Sequence, residues 1–118
     1  MGSIIFEHNY TIEDYITFKV KVETERFSGG SSFCISSSVL EKAISKLNEM
    51  YNRLEGAYQL DNYDSNDFIL FEFIKLGHMN ISGQIGGSYN KQYLIYHFKT
   101  DQTALRAIIA NFRNAINV

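Results

Sequence analysis

The one thiol and the three imidazoles of this sequence, Cys34, His8, His78 and His97, are the groups suited to thiol catalysis or zinc binding. Thiol catalysis needs a base within hydrogen-bond reach of the sulfur and a third group to orient that base. No spacing in the chain announces such a trio. A nucleophilic thiol also needs an electropositive, partly exposed setting. Cys34 instead stands between Phe33 and Ile35, with serines beyond them, and reads as a structural cysteine. A pairing of Cys34 with His78 or His97 stays open at the level of sequence. No histidine lies at a metal-ligand spacing from another or from Cys34, so a zinc site would need assembly from distant segments.

Two short runs imitate ligand loops. Gly83-Gln-Ile-Gly86-Gly87-Ser88 is glycine-rich, but a phosphate loop needs a Lys-Ser/Thr pair opening a helix. Tyr89, Asn90 and Lys91 do not supply it, and a hairpin turn with a bulge is the expectation. Asp61, Asp64 and Asp67 recur at steps of three, without the alternate acids, central glycine and distal glutamate of a calcium loop. Two readings of that run remain: a solvated turn, or an acidic rim for a basic partner with Tyr63 as an anchor. The residues thus predict no catalytic, metal or cofactor site.

The elements around them are legible from periodicity. Ile4 to His8 opens as a short edge strand, and Asn9 to Asp14 reads as loop. Ile16, Phe18, Val20 and Val22 then alternate with Thr17, Lys19, Lys21 and Glu23, giving a strand with one dry and one wet face. Ser28-Gly29-Gly30-Ser31 predicts a hairpin, with Phe33 and Ile35 returning beside it. Ser36 to Ser38 offer helix caps, Ser38-Val-Leu-Glu41 fits a capping box, and Leu40, Ala43, Ile44, Leu47, Tyr51 and Leu54 follow at helical steps toward a left-handed stop at Gly56. Ala57 to Leu60 is a brief strand. Phe68 to Ile74 is apolar on both parities, as for a strand covered on both sides.

After Gly77, a strand on Met79, Ile81, Gly83 and Ile85 leads through Gly86-Gly87-Ser88 and Asn90 to Leu94, Tyr96 and Phe98. Asp101 or Thr100 then caps a helix whose stripe is Leu105, Ile108, Ile109, Phe112 and Ile116. The expected fold is one α+β domain over residues 1–118. It is a mainly antiparallel twisted sheet of about six to seven strands with two helices, the C-terminal helix lying on one sheet face.

Bulk numbers narrow the function classes. The 118 residues suffice for a core without staples, and a single cysteine forbids an internal disulfide. Eleven scattered Lys and Arg against thirteen acids, net −2, argue against direct nucleic-acid binding. No secretory leader, membrane-length apolar run or myristoylation pattern is readable, so a cytoplasmic location without membrane contact is expected.

Several segments together resemble the WapI family of bacterial immunity proteins. They are Ile16-Thr-Phe-Lys-Val-Lys-Val22 followed by Phe27-Ser-Gly29, and the Val39-Leu-Glu41 helix reaching Met50-Tyr51. Leu54-Glu-Gly-Ala57, Gly77-His-Met79 and Thr100-Asp-Gln-Thr-x-Leu105 continue the likeness. It runs from about Tyr15 onward, and Tyr15 stands where that family usually carries a tryptophan. The resemblance implies a non-catalytic inhibitor, without cofactor or metal. Its partner would be the C-terminal toxin domain of a polymorphic, wall-associated or YD-repeat toxin, often a nuclease, met as a monomer or homodimer. The resemblance transfers no binding residue. Candidate contact residues are Lys19, Lys21 and Glu23 on the wet face of the second strand, with Asp61, Tyr63, Asp64 and Asp67 in the Tyr58–Asp67 region. The competing expectation is a small acidic dimeric secretion chaperone or adaptor that holds a segment of a partner protein.

Overall fold

The computed structural model describes residues 2–87 and 93–117. Three strands come first: β1 (Ser3–Ile12), β2 (Tyr15–Glu23) and β3 (Ser28–Ser36). Helix α1 (Ser37–Arg53) follows, then β4 (Ala57–Asp61), β5 (Phe68–Phe73), β6 (His78–Ile85), β7 (Leu94–Asp101) and helix α2 (Gln102–Ile116). Every pairing is antiparallel between sequence neighbours. The strands do not form one sheet, however. They divide into a three-stranded sheet β1-β2-β3 and a four-stranded sheet β4-β5-β6-β7. Short turns force neighbours to pair, whereas the seventeen-residue helix between β3 and β4 leaves the chain free to begin a second sheet.

The principal extents of 37 × 34 × 18 Å describe a two-layer molecule, with sheets in one layer and helices in the other. Helix α1 packs on α2 and touches β3 and β4, while α2 touches β1 and β7, so the helices span both sheets. Phe112 of α2 sets its ring 4.8 Å from Phe6 and 5.4 Å from Phe18. These edge-on and tilted contacts join the C-terminal stripe to the first sheet. Ile16, Phe18, Val20 and Val22 are all buried on the dry face expected of them.

β5 departs from its reading. Ile69, Phe71 and Phe73 are buried, but Phe68 and Leu70 are only half-buried and Glu72 is exposed, because helices cover one face alone. The segment read as a loop after His8 is strand as well. β1 runs on through a bulge at Asn9 to Ile12, and Glu13, with φ of 53°, turns the chain straight into β2.

Three turn and cap signals fell in other places. The β2–β3 turn is Thr24–Phe27, closed by Thr24 N–H on the Phe27 carbonyl at 2.8 Å. Gly29 and Gly30 lie inside β3, where a Cβ on Gly29 would meet Ile85 at 3.0 Å, so this glycine is there for close packing. Ser36, not Ser38, caps α1, its hydroxyl accepting from Val39 N–H at 3.3 Å. Leu54 takes the left-handed position at the end of α1, with Gly56 two residues beyond at φ 107°. Asp101 caps α2 as expected, accepting from Thr103 N–H at 2.9 Å. The expected β6–β7 turn lies partly outside the described residues, since Ser88 and Asn90 are not among them.

β3 is the edge of the first sheet, and it runs across the ends of the second. Cys34 and Ser32 meet Asn62, Cys34 also meets Tyr63, and Gly29 faces Ile85 and Leu94. The outward faces of both sheets therefore belong to one broad surface turned away from the helices.

Candidate partner-binding surface

The groups with chemical potential are dispersed. His8 holds the Thr11 hydroxyl at 2.8 Å through Nε2. His78 starts β6 and His97 lies on β7, both exposed. Among the described residues no three His, Cys, Asp or Glu side chains come together in a way that could hold a metal ion. Cys34 is half-buried and paired across the sheet with Thr17. Burial raises its thiol above the ordinary value, the Thr17 hydroxyl pulls it back, and the Asp64 carboxylate raises it further. The sulfur is thus held as a protonated thiol, the unreactive form.

The Asp61–Asp67 run is a built turn, because its polar side chains replace the ladder the chain has left. Asn62 is 8% exposed, and its side chain makes four hydrogen bonds among the described residues. Its Oδ1 accepts from Cys34 N–H at 2.9 Å and Asp64 N–H at 3.2 Å. Its Nδ2 donates to the Ser65 hydroxyl at 2.9 Å and the Ser32 carbonyl at 3.3 Å. Tyr63 N–H adds a bond of 2.8 Å to the Cys34 carbonyl. The turn thereby covers the open edge of β3, which would otherwise be a template for another chain.

Asp67 is 2% exposed. Its carboxylate accepts from Gly87 N–H at 2.9 Å and from the Gln84 amide at 3.1 Å. It fastens the turn to the end of β6 and offers nothing at the surface, so the acidic rim read from three aspartates contains only Asp61 and Asp64, both exposed.

Tyr63 is 66% exposed and its ring lies 4.8 Å from that of Tyr15, tilted by 47°. The Tyr63 hydroxyl raises the pKa of Tyr15, first by a hydrogen bond and then by charge. Register extends the cluster. Ile12 stands opposite Tyr15, and Tyr10, Thr17 and Cys34 form the adjacent row across three strands. Tyr10 is 49% exposed and Ile12 63%. Together these residues make an aromatic and aliphatic corner at one end of the first sheet. Beside it lies an open groove of about 420 Å³, lined by Tyr10, Thr17, Cys34, Asn62 and Asp64 among others.

The sequence reading singled out Tyr63, Asp61 and Asp64, and not Tyr10, Ile12 and Tyr15, which the structure places beside them. The available signal was Tyr10-x-Ile12, then Glu13-Asp14, then Tyr15-x-Thr17: one parity repeated on either side of a two-residue turn. Lys19, Lys21 and Glu23 lie exposed farther along the outward face, opposite Glu7, Ile5 and Ser3 of β1 respectively. A second cavity of about 530 Å³ sits at the far end, between the Thr24–Phe27 turn and His97–Lys99. Arg26 and Lys99 line it together with Glu25.

No helix among the described residues is long and apolar enough to cross a membrane. No curated protein matches the sequence. The sequence profile of the immunity protein WapI-like family matches residues 6–118, from the first core side chain of β1 to the end of the chain. That span takes in every element described above except the first three residues of β1, and the chain therefore belongs to the WapI-like immunity protein family.

Proposed function

We propose that this protein binds and neutralises the C-terminal toxin domain of a cognate polymorphic toxin, in the cytoplasm, as a stoichiometric and non-catalytic inhibitor. Family membership over residues 6–118 carries the reading. Two structural features support it. Cys34 rests as a thiol, and none of the histidines lines the groove that holds it. The outward sheet surface presents large exposed side chains on rigid strands and a pinned turn, the arrangement that gives a docking surface its few strong anchors.

Co-expression with the toxin domain encoded immediately upstream tests the proposal. Growth should be restored and the two chains should purify together. Growth arrest despite abundant soluble protein would overturn it.

A further inference from the structure

We infer that the Tyr10–Ile12–Tyr15–Tyr63 corner and its Cys34 groove form the face that seats the partner, and that they fit a protein surface rich in arginine and lysine. The inference rests on the immunity reading and assigns the face and the chemistry of its occupant. Three observations converge on it.

The first is apolar exposure. Tyr10, Ile12, Tyr15 and Tyr63 are exposed large side chains brought into one cluster from two hairpins distant in sequence. Tyrosine is among the residue types that dominate binding energy, and it loses few rotamers on docking.

The second is charge. The cluster is flanked by Glu13, Asp14, Asp61 and Asp64, all exposed. Residues 1–18 and 54–74, which supply it, contain no lysine or arginine. The chain as a whole is only two charges negative, and these four acids stand without a cation from their own segments, whereas at the opposite end Glu25 is accompanied by Arg26 and Lys99. A local field of one sign steers a partner of the other and speeds encounter. Tyrosine faces add cation–π attraction for the same groups.

The third is shape. The groove runs from Tyr10 to Asp64 and is polar within, with Ser31 on its wall bearing a hydroxyl that lacks a partner among the described residues. A guanidinium entering it would find a carboxylate and a neutral acceptor together, with an aromatic rim to shed water around them.

The experiment measures binding of the full chain to the upstream-encoded toxin domain, by calorimetry and by association kinetics across a salt series. Tyr63→Ala removes an exposed ring whose backbone already holds the turn, and should raise Kd about thirtyfold. The double variant Asp61→Lys/Asp64→Lys should slow association about tenfold and flatten its salt dependence. Lys99→Ala at the opposite end should bind like the wild type. Unchanged melting temperatures would establish that the variants are folded. If the wild type binds and both corner variants bind equally well, the face is wrongly assigned while the immunity reading survives. If the wild type does not bind at all, both fall.

Discussion

Asn62 and Cys34, twenty-eight positions apart, are joined by a 2.9 Å hydrogen bond from the Cys34 N–H to the Asn62 side-chain oxygen. Tyr63 N–H returns the bond to the Cys34 carbonyl at 2.8 Å. One side chain and one peptide thus imitate a strand partner for the edge of β3. The same pairing sets Tyr63 beside Tyr15, so the turn that protects the edge also builds the proposed docking corner.

Removing Asn62 should therefore cost both stability and affinity. Asn62→Ala leaves the Cys34 N–H and other backbone groups without partners, an expected loss of about 1–3 kcal/mol. Chemical denaturation measures it. Affinity for the toxin should fall with it, because Tyr63 loses its support. A variant with wild-type stability would show that the turn is held by other means.

The caps are separable by single substitutions. Ser36→Ala and Asp101→Ala should each lower stability by about 1 kcal/mol, since each strips an acceptor from the first turn of a helix. Ser38→Ala lies inside α1 and is exposed, so it should change little. Equal losses at Ser36 and Ser38 would restore the capping box.

Tyr96 supplies a pH signature. Its hydroxyl is buried without a hydrogen-bond partner among the described residues, and burial followed by the Asp67 charge raises its pKa well above the ordinary 10.0. An acid whose folded pKa is raised keeps its full stabilising effect below the unfolded value. Above pH 10 the unfolded chain loses this proton while the folded chain keeps it, so stability falls with rising pH. Tyr96→Phe should reduce that alkaline slope and cost little at pH 7. The measurement is denaturant unfolding between pH 7 and 11; an unaltered slope would contradict the assignment.

Cys34 should label slowly with a thiol reagent at pH 7.5, because burial holds it protonated. Rapid labelling would contradict that account of the thiol.

Local signals carried most of the fold. The alternation in β2, the Asp101 cap and the α2 stripe are written in consecutive residues, and the structure reproduces them. Cap and turn positions shifted by a few residues because Ser36, Ser37 and Ser38 all suit a cap, and glycines in a strand look like glycines in a turn. The division into two sheets was hidden, since it depends on what meets the edge of β3 and not on any strand's own pattern. The proposed corner was legible only in part for the same reason. Tyr63 and the acids are adjacent in sequence, whereas Tyr10, Ile12 and Tyr15 join them only through register and the Asn62 bonds. Asp67 looked like its neighbours Asp61 and Asp64, and only the fold turns it inward.

The most direct test is to titrate the activity of the purified toxin domain with this protein. A stoichiometric inhibitor extinguishes activity at the equimolar point, sharply, and dissociation of the complex restores it. Complete inactivation by a small fraction of an equivalent would instead reveal an enzyme acting on the toxin, and undiminished activity in excess protein would show that it does not bind there at all.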